Sequence, residues 1–174
     1  MTDDTRRRII LARHAKSAQL DMDDHERPLA GRGRRDAPEA GRWLESSGNA
    51  PELVRCSTAA RTRETWKLMS AELSQRPETV YNERLYGASL GALLAVVKET
   101  SDEVGSLLLV GHNPGMPALA DALAGESDDD LLARMIQSGF PTSAIAVLTF
   151  TGSWQAIEPG SARMVAYWTP RDHG

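Results

Sequence analysis

The chain has 174 residues, of which 41% are hydrophobic, and its formal net charge at pH 7 is −4. This length predicts a single domain (residues 1–174, with a core from about residue 7 to residue 169), and the charge gives no support for a nucleic-acid partner. The sequence has no apolar run near the roughly 18 residues of a membrane span, no signal-peptide core, and too few cysteines for an internal disulfide. These features favour a cytoplasmic protein.

Strand-like and helix-like segments alternate along the chain, which predicts an α/β fold of three layers, a mainly parallel central sheet flanked by helices. Strands are predicted at residues 7–11, 53–56, 79–81, 107–110, 144–150 and 163–168. Helices are predicted at residues 33–44, 59–73, 90–99, 117–123 and 129–136. Residues 125–128 are interpreted as an acidic turn. The last two strands are expected to be antiparallel, because residues 151–153 indicate a turn between them.

Basic side chains follow three of the predicted strands. Arg13 and His14 come after the first strand, Arg61 lies near the start of the helix after the second, and His112 follows the fourth. Ligands of open α/β sheets collect outside the carboxyl ends of the strands, so these four residues are expected to share a pocket. Guanidinium groups bind phosphate oxygens bidentately, and a neutral imidazole can accept a phosphoryl group. The four residues therefore predict a phosphate pocket that contains a nucleophile.

These segments resemble the motifs of the histidine phosphatase superfamily, and within it the small phosphohistidine phosphatases of the SixA type. Arg13-His14-Ala15 resembles the signature Arg-His-Gly. The segment from Ser57 to Thr62 resembles Ser-Pro-x-x-Arg-Ala, with Thr58 in the place of the proline. Val110-Gly111-His112-Asn113 resembles the second-histidine motif. The resemblance covers the chain from Ile9 to about Phe150.

The resemblance implies a phosphoglycerate-mutase-like (histidine phosphatase) fold and a role for each pocket residue. His14 would be the phosphoryl acceptor, and Arg13, Arg61 and His112 would hold the phosphate. His112, when protonated, would donate hydrogen bonds to the phosphoryl oxygens. No cofactor and no metal is expected, because this chemistry needs neither.

Glu83 is the candidate proton donor to the leaving group. The segment from Asn82 to Gly87 resembles the one that carries the acidic glutamate in the phosphoglycerate mutase branch of the superfamily. The alternative is that Glu83 is a surface residue that pairs with Arg84 or a neighbouring helix. The donor matters less for phosphohistidine than for an alkyl phosphate. The conjugate acid of an imidazole leaving group has a pKa of about 6.5, whereas that of an alkoxide is near the value of about 15.7 for water.

The polar segment 17–33 follows the predicted nucleophile and contains several acidic residues. These carboxylates have no partner cluster of histidine or cysteine, so the segment is interpreted as a solvated loop at the rim of the pocket rather than a metal site. His25 and His173 belong to no motif and are interpreted as surface residues. Asn113 and Pro114 are predicted to be the N-cap and first residue of the helix that follows His112.

The size of the expected substrate is inferred from the short segment between Gly87 and Leu107, which has about 20 residues. Larger members of the superfamily insert helices or loops over the pocket, so the resemblance here implies an open pocket that admits a phosphorylated side chain of another protein. The expected function is hydrolysis of phosphohistidine on a protein through a covalent intermediate on His14. The expected partner is a phosphorylated protein, such as a histidine phosphotransfer domain, or a small phosphoester.

Three other functions are weighed against this one. A cysteine-dependent phosphatase needs a cysteine, five residues and then an arginine, but Thr62 occupies that position after Cys56. A small-molecule phosphomonoesterase or a phosphoglycerate-mutase-like phosphotransferase fits Glu83, although the insertions over the pocket are missing. A non-catalytic phosphate-binding module would keep the arginines and lose a histidine, whereas both histidines are present.

Overall fold

The computed structural model describes residues 3–170, which contain seven strands and five α-helices. The strands are β1 (Arg6–Arg13), β2 (Leu53–Cys56), β3 (Glu78–Tyr81), β4 (Ser106–Gly111), β5 (Ala124–Ser127), β6 (Ile145–Thr151) and β7 (Ala162–Trp168). The helices are α1 (Gly31–Ser46), α2 (Ala60–Ser70), α3 (Leu90–Lys98), α4 (Gly115–Leu123) and α5 (Leu131–Ser138). Short 3-10 helices lie at Asp24–Glu26, Glu83–Leu85 and Trp154–Ala156. His173, predicted to be a surface residue, lies outside the described residues.

The strands form one sheet in the order β3-β2-β4-β1-β6-β7-β5. Strand β6 is antiparallel to both of its neighbours, β1 and β7, and every other pairing is parallel. The predicted mainly parallel sheet and the antiparallel pairing of the last two strands are therefore confirmed.

All of the predicted strands and helices are present, but the interpretation of residues 125–128 as a turn is wrong. Most of this segment belongs to β5, a short edge strand that pairs in parallel with β7. The strand has no apolar alternation, so the sequence carries no strand signal there. The absence of a side chain at Gly125 lets this strand approach the backbone of Gly160, because a Cβ atom at position 125 would lie 1.9 Å from the carbonyl oxygen of Gly160.

Alternate residues of β1 divide the core into two halves, one on each face of the sheet. Ile9 and Leu11 pack with the apolar residues of α3, α4 and α5. Ile10 and Ala12 pack with those of α1 and α2, including the predicted apolar face of α1, Ala37, Ala40 and Leu44. The predicted three layers are thus confirmed. Within residues 3–170, no helix combines the length and the apolar character that a membrane crossing requires.

The register of the parallel strands sets the position of the candidate site. Arg13 at the end of β1 pairs with Gly111 at the end of β4. The next residues, His14 and His112, therefore leave the sheet side by side, and the backbone N–H of His14 donates a hydrogen bond of 3.1 Å to the carbonyl of Gly111. Ser57 follows β2 at the same edge. The carboxyl ends of three neighbouring strands thus meet where the sequence predicts the pocket.

Candidate active site

The two predicted histidines form a pair at the carboxyl edge of the sheet. The ring centroids of His14 and His112 lie 5.3 Å apart, with the ring planes tilted by 56°. Each histidine directly follows a central strand: Ile9 to Ala12 of β1 are buried, and so is every residue of β4. The pair is therefore held by backbone register rather than by a flexible loop.

His14 has the tautomer that a nucleophile requires. Its Nδ1 lies 2.7 Å from the carbonyl oxygen of Ala15, and because a carbonyl only accepts, Nδ1 carries the hydrogen and Nε2 carries the lone pair. The residue is 6% exposed. Burial lowers the pKa of His14 to about 3, the hydrogen bond to Ala15 opposes that shift, and the nearby charges of His112, Arg13 and Arg61 add to it. The imidazole is therefore neutral at pH 7.

A short chain of hydrogen bonds joins the His14 loop to helix α2. The backbone N–H of Ala15 donates to Oγ1 of Thr65 at 2.9 Å, and that hydroxyl donates to the carbonyl of Arg61 at 2.7 Å. Thr65 is 1% exposed. Since Arg61 lies in the first turn of α2, this chain of contacts fixes the arginine relative to the nucleophile.

The two predicted arginines retain buried donors that no described residue satisfies. Arg13 donates from Nη1 to the carbonyl of Phe140 at 3.2 Å, and burial and the charge of Arg61 lower the pKa of Arg13. Among residues 3–170, no partner is found for the buried Nε atoms of Arg13 and Arg61 or for the buried Nδ1 of His112. A phosphoryl group supplies the acceptor oxygens that such donors need.

His112 is also neutral at pH 7, which refines the predicted role. Its Nε2 lies 2.8 Å from Oγ of Ser57. Burial lowers the pKa of His112 to about 4, the charge of Arg61 adds to this effect, and the carboxylate of Asp24 opposes it. Because an opposite charge nearby favours the protonated form, a bound phosphoryl dianion would raise the pKa of His112. Protonation of His112 would therefore accompany the binding of the phosphoryl group.

Three residues that the sequence analysis did not assign to the site form a connected group beside Arg61 and His112. Nη1 of Arg61 donates to the main-chain oxygen of Asp24 at 2.7 Å, and Nη2 donates to Oδ2 of the same residue at 3.1 Å. The hydroxyl of Tyr86 donates to Oδ2 of Asp24 at 2.5 Å, and its ring packs edge-on against His112 at 5.5 Å. The hydrogen bonds from Tyr86 and Arg27 hold the pKa of Asp24 well below its usual range, so this carboxylate is ionised.

His25 is the third of these residues, and its interpretation as a surface residue is wrong. It is half-buried, its Nε2 lies 2.9 Å from Oγ1 of Thr58, and its ring packs edge-on against Tyr86 at 4.9 Å. The interpretation of segment 17–33 as a solvated loop holds only for its tip, where Leu20 and Met22 are exposed. Residues 24 and 25 instead fold back onto the pocket.

Asp24 and Tyr86 cover one side of the group formed by Arg61 and His112. Arg61 is only 6% exposed, because Asp24 covers its guanidinium. Tyr86 contacts both Asp24 and His112 and so closes the same side. No sequence signal marks these contacts, since Tyr86 lies 62 residues from Asp24 in the chain.

Glu83 forms no hydrogen bond or ion pair with the other four predicted residues, all of which the structure describes. It is exposed, in the 3-10 helix Glu83–Leu85, and within residues 3–170 its side chain forms no hydrogen bond and no ion pair. Arg84 does not pair with it, because this arginine forms an ion pair with Glu99 at 2.7 Å. The prediction that Glu83 supplies a proton is not tested by this geometry.

Asn113 has a different role from the predicted N-cap. Helix α4 begins at Gly115 with Pro114 in the N-cap position. The side-chain Nδ2 of Asn113 instead donates to the carbonyls of Gly139 and Phe140, at 3.3 and 3.0 Å. Arg13 donates to the same Phe140 carbonyl. Asn113 therefore helps to fix the backbone segment that accepts the hydrogen bond from Arg13.

Two alternative chemistries find little support in the site. Cys56 is fully buried, and burial raises the pKa of its thiol to about 12, so a thiolate nucleophile is not available at pH 7. Within residues 3–170, no group of three or more histidine, cysteine or acidic residues is arranged to hold a metal ion.

Comparison with known proteins places this site in a family. A family model described as the histidine phosphatase superfamily (branch 1) matches residues 9–139. The uncharacterized protein Rv1276c of Mycobacterium tuberculosis is 45% identical over 161 residues, which cover 91% of this chain and 99% of that protein.

Two solved structures share the fold. A SixA protein from Agrobacterium tumefaciens, described as a candidate phosphohistidine phosphatase, is 32% identical with a TM-score of 0.80, over 94% of this chain and 98% of that one. The phosphoglycerate mutase of Plasmodium falciparum has a TM-score of 0.63 at 17% identity, over 98% of each chain, and shows the shared fold alone. The predicted phosphoglycerate-mutase-like fold is therefore confirmed. The chain belongs to the histidine phosphatase superfamily and is SixA-like within it, a membership that supports phosphatase activity.

Proposed function

We propose that this protein is a phosphohistidine phosphatase that acts on a phosphorylated protein through a covalent intermediate on His14. One observation carries the proposal. The site holds a neutral imidazole with a free Nε2 beside two arginines, but among the described residues no protonated carboxylic acid touches the histidine pair. Asp24 is ionised, and Glu83 is exposed without a contact. Such a site suits a substrate whose leaving group departs with little acid catalysis, which is the case for imidazole.

In the first step, Nε2 of His14 attacks the phosphorus atom and the P–N bond of the substrate breaks. The electron pair of that bond stays on the substrate ring, which leaves as neutral imidazole when its other nitrogen carries a proton. His14 becomes a phosphorylated imidazolium, because its Nδ1 keeps the hydrogen that it shares with Ala15. The positive charge on the ring makes the new P–N bond easier to break, because His14 then leaves as a neutral imidazole.

In the second step, water attacks the phosphorus atom and the bond to His14 breaks. The electron pair returns to Nε2, and both hydrogens of the water leave with the product as dihydrogen phosphate, so charges and protons balance without another group. Arg13, Arg61 and, once protonated, His112 stabilise the negative charge on the phosphoryl oxygens in both steps. Loss of one such preorganised donor typically slows a reaction by about 100-fold to 1,000-fold.

A small-molecule phosphomonoesterase is the second candidate. A cavity of about 330 Å³ adjoins His112, and its walls include Leu85, Leu93 and Met116. A cavity of this size accommodates the non-phosphate part of a small ester.

The test compares turnover of a phosphohistidine protein with that of an aliphatic phosphomonoester and of phosphoglycerate under identical conditions. The proposal predicts the highest kcat/KM for the phosphohistidine protein. A higher kcat/KM for either ester would overturn it in favour of the second candidate.

A further inference from the structure

A cationic groove runs along helix α2, outside the phosphate pocket. It has a volume of about 460 Å³ and lies between α2 and the edge strand β3. Trp66 and Pro77 give it apolar walls, and Arg63, Lys67 and Arg76 line it with positive charge. We call this feature the α2 groove.

Helix geometry places the α2 groove and the phosphate pocket on different faces of the same helix. Arg61 and Arg63 are two residues apart, which is a rotation of about 200° around the helix axis. Arg61 accordingly contacts Asp24, whereas the guanidinium of Arg63 stacks over the ring of Tyr81 at 5.4 Å. Tyr81 is the last residue of β3. The end of the groove at Arg63 and Tyr81 therefore reaches the carboxyl edge of the sheet, where the phosphate pocket lies.

The groove extends away from the pocket along α2. Arg63, Lys67 and Ser70 have the spacing i, i+4 and i+7, which places them on one face of the helix, and all three line the groove. This spacing corresponds to about 10 Å along the axis. A small phosphoester held in the pocket does not reach that far, but a polypeptide that carries the phosphoryl group does.

The cations of the groove are not neutralised. Arg63, Lys67 and Arg76 are exposed, and within residues 3–170 none of them forms an ion pair. The one acidic residue in the lining, Glu64, is engaged elsewhere, because it accepts a hydrogen bond from the backbone N–H of Leu29 and pairs with Arg34. The groove is thus a positive stripe on a chain whose net charge is −4.

We infer that the α2 groove docks an acidic segment of the phosphorylated protein substrate, and this inference rests on the proposed function. A positive stripe attracts and orients negative charge, whereas the overall negative charge of the chain repels it elsewhere. The apolar walls add contact area for side chains between the acidic ones. Docking beside the pocket raises the local concentration of the phosphorylated side chain at His14.

Two synthetic phosphohistidine peptides test the inference. One carries an acidic segment of glutamate and aspartate, joined to the phosphohistidine by a Gly-Ser spacer of about six residues, which spans up to about 20 Å. Its partner carries glutamine and asparagine instead. Wild-type kcat/KM for the acidic peptide should exceed that for the neutral one by roughly tenfold at low ionic strength, and added salt should shrink the ratio.

The double variant Lys67→Glu/Arg76→Glu should bring this ratio close to one. Its matched control is Lys98→Glu/Arg134→Glu, which makes the same change of net charge on α3 and α5, across the sheet from α2. This control should keep the wild-type ratio. A ratio that stays at the wild-type value in Lys67→Glu/Arg76→Glu, or that falls equally in the control, would overturn the inference.

A binding measurement separates failure of the docking inference from failure of the proposed function. Fluorescence anisotropy reports the Kd of the same acidic segment without phosphohistidine, and Kd should rise roughly tenfold in Lys67→Glu/Arg76→Glu but not in the control. If wild-type protein hydrolyses aliphatic esters and no phosphohistidine peptide, the proposed function fails whatever the anisotropy shows. If it hydrolyses both peptides equally and does not bind the acidic segment, the docking inference alone fails.

Discussion

Arg61 donates a hydrogen bond from each of its terminal nitrogens to Asp24, one to the main-chain oxygen and one to the carboxylate. The carboxylate therefore occupies a donor that a phosphoryl oxygen would use. Because Asp24 is ionised, it also repels an incoming dianion. The residue that covers Arg61 thus competes with the anion that the arginine is expected to hold.

Replacing Asp24 should tighten the binding of phosphate-like anions. In Asp24→Asn the charge is removed while the shape is kept, and the inhibition constant for tungstate should fall by roughly fivefold, equivalent to about 1 kcal/mol, as for one exposed ion pair. Competitive inhibition assays measure this constant. Asp23→Asn, a neighbouring exposed carboxylate, serves as the control. An unchanged or higher constant in Asp24→Asn would show that the carboxylate does not compete.

His14 should become transiently phosphorylated, because its Nε2 carries a free lone pair beside two guanidinium groups. Enzyme quenched during turnover of a labelled substrate should carry phosphate that is lost in acid and kept in base, as in a phosphoramidate. His14→Ala should show neither the label nor turnover. Wild-type turnover in His14→Ala would refute a covalent role for this residue.

The arginines should each be indispensable, since in the proposed mechanism both hold oxygens that grow more negative toward the transition state. Arg13→Ala and Arg61→Ala should each lower kcat/KM by roughly 100-fold or more. Arg42→Ala is the control, because Arg42 lies on the surface and, among residues 3–170, forms an ion pair with Glu72 alone. Losses below about tenfold in either pocket variant would mean that the arginine holds no reacting oxygen.

The stability of the protein should fall between pH 6.5 and pH 4. Burial lowers the pKa of His14 and of His112 below the value of about 6.5 for an unfolded chain, so the unfolded state binds more protons in this window. The stability is fully present above pH 6.5 and is lost as the pH decreases. His14 alone should account for about 2 kcal/mol between pH 7 and pH 5.

Urea unfolding of wild type and of His14→Asn at pH 7 and pH 5 measures this effect. The difference in unfolding free energy between the two pH values should be smaller by about 2 kcal/mol in the variant. At pH 5 the acidic side chains with lowered pKa values, such as Asp24, are still ionised in both states, so they contribute little. An equal pH dependence in both proteins would show that His14 titrates normally.

The histidine pair and the arginines could be predicted from the sequence because each follows an apolar strand. Parallel strands end at one edge of a sheet, so residues after β1, β2 and β4 converge whatever the details of the loops. Asp24, His25 and Tyr86 could not be predicted, since their contacts depend on how segment 17–33 folds back onto a residue 62 positions away. Strand β5 was missed for a related reason, as its stability comes from pairing with β7 and not from its own residues.

Glu83 separates the two candidate functions. If the substrate is phosphohistidine, Glu83→Gln should slow turnover by less than the roughly 100-fold typical of losing acid catalysis, because imidazole departs with little help. With an alkyl phosphate the same substitution should cost the full roughly 100-fold, because an alkoxide needs its proton.

Steady-state kcat/KM on both substrates measures the two effects, with Glu78→Gln, an exposed glutamate at the far end of β3, as the control. For phosphohistidine we expect the small effect, since the Glu83 side chain is exposed and, among the described residues, forms no hydrogen bond or ion pair. A large loss on both substrates would refute the argument from the leaving group and would place the Glu83 carboxyl in the reaction. A large loss on the alkyl phosphate alone is the expected result, and it would show that the proton of Glu83 matters only for a poor leaving group.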